Sequence, residues 1–448
     1  MKTCPTVANE EQTNMGIGRR EFLLAGTLGA LGMGTAPVIA GARPRIVVVG
    51  AGYGGATFAR YMKLWSPQVE VTLIEPNTRF TSCPMSNTVI GGLNRLEDIT
   101  FPYRYVQAGV DRFVQDRVTG IDAARRSVTT ATGRTFPYDR LVLAAGIELM
   151  HERIQGYDRV AQERIKHAWQ AGPEQTGVLR RQLEAMPDGG VFVLAIPTAP
   201  LRCPPAPYER VCLVANYLKR AKPRSKIIVL DGNPDILSKK ELFLAAWKKH
   251  YGYGTDNSLI DYRPNNAASA VDAKAMRVST EFEDVTGAVI NLVPPMRAAA
   301  ITGLTGARTG DNGMWCPVDY PSLESTVVPN VHILGDSILS NLSKAAALAN
   351  NSGKLCAYAL GEIFAGRPPD PLPVIASTCY SASTERTAFH VATVFRYDPA
   401  SKGMEVQPGS GVSAQENEAD FRYMRGWAHN IWADTLGLPP GYRFTNRV

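Results

Sequence analysis

The sequence predicts an α/β fold with two doubly wound, dinucleotide-binding (Rossmann-like) domains and a C-terminal α+β domain. Three observations predict it. Two stretches each read as strand, turn, helix and strand closing on an acid: "RIVVVGAGYGGATFARYMKLWSPQVEVTLIE", which ends at Glu75, and "VFVLAIPTAPLRCPPAPYERVCLVANYLKRAKPRSKIIVLD", which ends at Asp231. That order of elements is a nucleotide-binding βαβ unit. Two apolar strands ending on small residues, "YDRLVLAAGI" and "VPNVHILGDS", flank the second unit and assign the first domain two separate segments. After Pro371 the pattern changes to the alternation of "DPLPVIASTCYSASTERTAFHVATVFRYDP" and then to a helical run, "EADFRYMRGWAHNIWADTLG". The expected division is 43–155 and 297–368 for the first domain, 156–296 for the second and 369–448 for the third.

Residues 1–42 stand apart from this fold. Arg19 and Arg20 precede Phe22, Leu23 and a Gly/Ala-rich stretch that closes on Ala40, Gly41 and Ala42. The segment resembles a twin-arginine export signal, which carries folded, cofactor-loaded proteins to the bacterial periplasm. The alternative is an uncleaved membrane anchor, which the many glycines and few β-branched residues disfavour. After cleavage no integral membrane segment is expected. Lys2, Arg19 and Arg20 cancel Glu10, Glu11 and Glu21, so the net charge of +7 belongs to the rest of the chain. An exported chain meets little nucleic acid, and "YLKRAKPRSK" reads as a solvated helix end rather than a nucleic-acid patch.

A chain of 448 residues, 45% hydrophobic and 20% charged, is globular and long enough for several cores. Without Cys4, the cysteines are Cys83, Cys203, Cys212, Cys316, Cys356 and Cys379. They are too few and too scattered to staple a fold, and no Cys/His spacing points to zinc or another metal.

In the first βαβ unit Ile46–Val49 suit a buried parallel strand, and Gly50, Gly52 and Gly55 give the GxGxxG turn that lets backbone approach a pyrophosphate. Glu75 stands where it would accept hydrogen bonds from an adenosine ribose. The turn at Gly146 and the pair Gly335 and Asp336 resemble the two further motifs of two-dinucleotide-domain flavoproteins, in which the aspartate holds the FAD ribitol. The expected cofactor is FAD. In the second unit Pro197, Thr198, Ala199 and Pro200 replace the glycines and Cys203 follows them, so side chains fill the space a second dinucleotide would need. Nicotinamide is therefore not the expected electron donor.

Taken together, "TSCPMSNTVIGG", "GIELM", "HAWQAG", "RCPPAPYERV", "YGYGT", "INLVPP", "WCPVD" and "STCYS" resemble the flavoprotein (sulfide dehydrogenase) subunit of flavocytochrome c, a family of the glutathione-reductase type, over nearly the whole chain past residue 42. The resemblance implies that Cys83 forms a thioether to the 8α-methyl of FAD, and that Cys203 and Cys379 form a redox-active disulfide. For the partner of Cys379, Cys316 is the alternative. Cys212 and Cys356 read as core positions of helices. The family's activity is oxidation of hydrosulfide to sulfur or polysulfide, with electrons passing through the disulfide and FAD to a c-type cytochrome. Glu209, in the first turn after Cys203, is either a proton relay to sulfur or an ordinary acid at a helix N-terminus. Tyr423, Trp427, Ile431 and Trp432 recur near helical spacing and are expected to face the core, with a partner contact as the alternative. Two other functions fit less of this pattern: a sulfide:quinone reductase-like enzyme, and a flavin-bearing partner of a sulfur-oxidising complex without turnover of its own.

Overall fold

The β-branched run of Arg45–Val49 is buried along Ile46 to Val49, and its place is the middle of a sheet. The computed structural model describes residues 43–445; the expected export segment, with Arg19 and Arg20, lies outside them. Arg45–Val49 pairs in parallel with Glu70–Ile74 on one side and Arg140–Leu143 on the other. Arg112–Val114 and Val331–Ile333 extend the sheet at its two ends, again in parallel. The antiparallel strands Glu324–Ser325 and Val318–Asp319 complete seven. Because Val331–Ile333 follows the whole second unit in sequence, this sheet closes only when the chain returns to it.

The second sheet is parallel throughout, in the order Ile260–Arg263, Lys226–Asp231, Val191–Ile196 and Val289–Leu292. Each sheet carries a three-stranded antiparallel meander, with strands Val118–Asp122, Ser127–Thr130 and Thr135–Pro137 in the first case and Ala270–Asp272, Arg277–Ser279 and Asp284–Thr286 in the second. After each meander the chain runs through a parallel strand into a short strand, Ile147–Leu149 or Met296–Ala298, and these two pair antiparallel with each other. The domains therefore repeat one plan and are joined at the repeat of its last strand. This is the doubly wound α/β arrangement the sequence predicts; the meanders were not legible in it.

The C-terminal region is α+β. Val374–Ala382 and Ala388–Asp398 form a long antiparallel hairpin that places Cys379 opposite Val391. Helix Glu418–Leu436 covers it, capped by the Asn417 side chain, which accepts from Asp420 N at 2.7 Å. The expected aromatic stripe on this helix divides: Trp432 and Ile431 are buried, Trp427 is half-buried and Tyr423 is 61% exposed. A spacing of four residues drifts by about 40° per step on a helix, enough to carry one end of a four-residue series into solvent. Phe389 of the hairpin packs edge-on against Phe243 at 4.8 Å, which anchors the Cys379 strand to the second domain.

Helix Tyr53–Trp65 approaches helix Ala346–Phe364 closely because Gly54 faces Gly353. A Cβ on Gly353 would stand 2.5 Å from Gly54 O and 2.9 Å from Phe58 N. Both are backbone atoms that cannot swing aside. Gly353→Ala should therefore cost about 1–3 kcal/mol and lower the thermal midpoint measured by circular dichroism. An unchanged midpoint would show that the helices separate without penalty.

Candidate active site

The glycine turn of the first domain is built for close backbone approach. Gly50 has φ +95°, and a Cβ there would lie 2.8 Å from Ala144 O. Gly55 packs beneath it, where a Cβ would meet Gly50 O. Gly52, by contrast, faces open space and begins helix Tyr53–Trp65 with no side-chain cap, so the positive end of that helix is left free for an anion. Gly146, at φ +70°, likewise has nothing within 4 Å of its Cβ position. Glu75 Oε2 accepts from Ala51 N at 2.8 Å and Oε1 from Asn77 N at 2.9 Å, so this acid also fixes the glycine turn. Asp336, next to Gly335, buries Oδ1 without a hydrogen-bond partner. Burial raises the pKa of its carboxyl, opposed by the charges of Arg202 and Lys344. An orphaned buried acceptor, a free helix N-terminus and an open glycine cradle fit the ribitol and pyrophosphate of a dinucleotide such as FAD.

These groups line one cavity of about 1510 Å³. Gly50, Gly52, Glu75, Cys83, Gly146, Cys203, Glu209, Gly335, Asp336 and Cys379 are all in its wall. Gly55 lies behind it.

The corresponding turn of the second domain is closed from within. Asp231 is 0% exposed. Its Oδ2 accepts from Tyr208 OH at 2.7 Å and Tyr262 OH at 3.0 Å, and its Oδ1 accepts from Asn233 N at 3.0 Å. Asn233 in turn accepts from Ala199 N at 2.8 Å and donates to Pro197 O at 3.0 Å, stitching the proline turn to the strand end. The acid that would hold a ribose is fully engaged.

What this turn presents instead is Cys203. Its backbone is left-handed, φ +55°, and its N–H donates to Lys344 O at 2.7 Å. The Cys203 thiol is hydrogen-bonded to Cys379, although they are far apart in sequence. The fold thus brings together the two cysteines that the resemblance implies as a redox pair. The hydrogen bond raises the pKa of the Cys203 thiol and lowers that of Cys379, on which the thiolate is favoured. The lowering at Cys379 is reinforced by the charge of Lys239. Cys316 is buried and hydrogen-bonded to Thr302 instead. Cys356 is core, and Cys212 is core with Trp247 Nε1 donating to its sulfur at 3.2 Å. Cys83 lies just past strand Arg79–Thr81, its sulfur 3.6 Å from Arg202 Nη2.

Glu209 stands in the first turn of helix Ala206–Ala221, as its sequence position implies. Its Oε1 accepts from Ala382 N at 3.0 Å and its Oε2 from Asn87 Nδ2 at 2.7 Å. Burial raises the pKa of its carboxyl, and these two donors oppose the rise. Lys239, which sequence reasoning missed, donates to Cys379 O at 3.2 Å and Ser381 Oγ at 2.9 Å. Nothing in "ILSKKELF" marks it out, since its partners lie on a strand that arrives through folding. Asn87 and Arg210 were missed too, although both fall inside quoted motifs.

The family model described as sulfide dehydrogenase [flavocytochrome c] flavoprotein chain, central, matches residues 176–294. The flavocytochrome c sulphide dehydrogenase, flavin-binding model matches 371–436. The pyridine nucleotide-disulphide oxidoreductase model matches 44–182 and ends before the altered turn. Mitochondrial sulfide:quinone oxidoreductase of Mus musculus is 25% identical over 328 residues, 69% of each chain. A flavocytochrome c sulfide dehydrogenase flavoprotein chain of Chlorobaculum thiosulfatiphilum is 53% identical over 45 residues, 10% of this chain and 94% of that sequence. The chain is a sulfide-oxidising FAD disulfide oxidoreductase. The solved sulfide:quinone oxidoreductase of Aquifex aeolicus shares the enzyme's fold, with a TM-score of 0.69 at 17% identity over 88% of this chain and 92% of that one. Putidaredoxin reductase, in its complex with putidaredoxin, has a TM-score of 0.61 at 15% identity over 87% and 93%.

In this sulfide-oxidising enzyme Lys239 is the cation closest in function to Cys379. Lys239→Met should raise the pKa of the Cys379 thiol, so that iodoacetamide labelling of the reduced protein, mapped by mass spectrometry, shifts to higher pH by roughly one unit. Labelling with the wild-type pH dependence would remove Lys239 from the thiolate site.

Proposed function

We propose that this chain oxidises hydrosulfide to sulfur or polysulfide in the bacterial periplasm and passes the electrons to a c-type cytochrome. The observation that carries the sulfur chemistry is the contact of Cys203 with Cys379 in the wall of the FAD-fitting cavity, beside Lys239 and Glu209. In the oxidised state the two sulfurs form a disulfide. Hydrosulfide forms a new S–S bond to one of them, the cysteine–cysteine bond breaks, and its electron pair leaves on the other sulfur as thiolate. When Cys379 is the leaving sulfur, Lys239 stabilises that charge. A second hydrosulfide or another thiol removes the added sulfur as a polysulfide or disulfide. Bound FAD supplies a two-electron acceptor that can release electrons singly to a haem. To re-form the disulfide the Cys203 thiol must lose its proton, and Glu209 is the carboxylate placed to take it.

Attachment of FAD through Cys83 belongs to the same proposal. Cys83 borders the cavity, and the flavocytochrome c models match both regions that carry Cys203 and Cys379. The second reading, a sulfide:quinone reductase, draws on relatives of that name that align over two thirds of the chain. No helix among the described residues is long and apolar enough to cross a membrane.

Anaerobic sulfide titration should bleach the flavin of the wild-type protein and leave Cys203→Ala, Cys379→Ala and the double variant equally unreactive, since each loses the same bond. Wild-type FAD should stay with acid-precipitated protein, and Cys83→Ser should release it. Normal turnover in Cys203→Ala would overturn the disulfide mechanism. Colour lost from precipitated wild type would overturn the tether, and faster reduction of a soluble quinone than of cytochrome c would favour the second reading.

Export should depend on the paired arginines. Replacing both, Arg19→Lys with Arg20→Lys, should leave the protein in the cytoplasmic fraction, whereas periplasmic recovery of that variant would contradict a twin-arginine route.

A further inference from the structure

Glu209 and Arg210 are consecutive on one helix; Arg210 is buried, and Glu209 is half-buried in the cavity wall. The side-chain amide of Asn87 stands between them. Its Nδ2 donates to Glu209 Oε2 at 2.7 Å and to Ala206 O at 3.0 Å, while its Oδ1 accepts from Arg210 Nε at 2.9 Å. The orientation of the amide is forced. A guanidinium only donates, so the amide oxygen must face Arg210; a carboxylate and a carbonyl only accept, so the NH₂ must face Glu209 and Ala206. Arg210 is itself immobilised, with Nη1 bonded to Asn291 Oδ1 at 2.7 Å and His167 O at 3.2 Å and Nη2 to Ala168 O at 2.8 Å. Asn87 thus links the Glu209 carboxylate to the Arg210 guanidinium and can present Glu209 only with a donor.

We infer that Asn87 is a positioning residue that keeps Glu209 an ionised proton acceptor beside the two redox cysteines and ties it to the segment carrying Cys83. The inference rests on the reading of Glu209 as the acceptor of the Cys203 proton. A neutral carboxylic acid cannot take a proton from a thiol, and burial drives Glu209 towards that neutral form. The groups that face it are the thiols of Cys203 and Cys379, the cations Lys239 and Arg210, and the donors Asn87 and Ala382 N. The thiols, once ionised, oppose its charge; the other four favour it. Of the two direct donors one is backbone, which leaves Asn87 as the side chain that sets the balance.

The link to Cys83 is equally direct. Asn87 sits on the short helix Ser86–Ile90, whose first N–H donates to Cys83 O at 3.0 Å. Thr88 Oγ1 donates to Met85 O at 2.6 Å and stiffens the turn between them. The cofactor-bordering loop and the side-chain donor to Glu209 are therefore held in one hydrogen-bonded segment. Three domains meet at Glu209: Asn87 comes from the first, the helix from the second and Ala382 from the third.

The test is the pH dependence of sulfide-driven flavin bleaching in the full FAD-loaded chain, with the infrared band of the protonated Glu209 carboxyl, identified by its loss in Glu209→Gln, as a second readout. Asn87→Ala should shift both the acid limb of the bleaching rate and the carboxyl titration upwards by roughly one pH unit. Asn87→Ser, which keeps a donor and is the gentler change for folding, should restore part of the shift. Asn87→Ala should have no further effect in a Glu209→Gln background, because it acts through that carboxylate. An unshifted limb in Asn87→Ala with FAD retained, a shift in Asn87→Ser as large as that in Asn87→Ala, or an additive loss in the double variant would overturn the inference while leaving Glu209 its role. Wild-type pH dependence in Glu209→Gln would instead remove the proton-acceptor reading, and Asn87 with it.

Discussion

The proposed chemistry depends on one constraint: a strand from the C-terminal domain must be held against a turn of the second domain so that Cys379 meets Cys203. The two sulfurs are brought together by neighbours on all sides. Glu209, from the helix that follows Cys203, accepts from the backbone of Ala382, and Lys239 donates to the carbonyl of Cys379 itself. Further along, Glu416 accepts from Lys249 at 2.9 Å and from Thr387 at 3.1 Å, while Phe389 fills a gap beside Phe243. Burial alone would raise the Glu416 pKa, but its hydrogen bonds from Ser383, Lys249 and His250 and the nearby His250 charge bring it down to about 2, so this clamp stays ionised through the neutral range. Apolar contact supplies the adhesion and the charged bonds supply the register, which a thiol pair needs because disulfide geometry tolerates little displacement.

Electrostatics then divides the labour between the sulfurs. A cation bonded to the Cys379 strand and a carboxylate on the Cys203 helix make an otherwise symmetrical pair unequal. The same carboxylate is hydrogen-bonded to a helix of the first domain and a strand of the third, so the proposed proton acceptor also fastens the domains together. The proposed catalytic role of Glu209 and its structural one cannot be separated by removing it. They separate only when the groups that tune it are changed while the carboxylate is kept.

Local pattern made much of this visible in the sequence. The glycine turn at Gly50, Gly52 and Gly55 and the acids Glu75 and Asp336 lie just past strand ends, where local pattern alone places them. The loss of glycine at Pro197 to Pro200 was equally legible. The meanders were not, because strands such as Thr135–Pro137 and Asp284–Thr286 are too short to show a period. Lys239, Asn87 and Arg210 were illegible for a different reason. Each has a polar side chain of an ordinary kind in an ordinary segment, and each acquires its importance from a partner on another element. Tyr423 went the other way: its spacing suggested a buried stripe, yet the turn of the helix carries it into solvent.

The closed second-domain turn has a wider consequence. Glycine loss alone would be a reversible change, since a few substitutions could reopen the loop. Here Asp231 has redirected its whole bonding capacity into Tyr208, Tyr262 and Asn233, and the proline turn is sewn to Asn233. Reinstating the glycines would leave the ribose-binding carboxylate occupied by its own neighbours. The place a second dinucleotide would take is filled by the protein's own side chains, which closes that route from reduced pyridine nucleotides to the flavin the cavity fits.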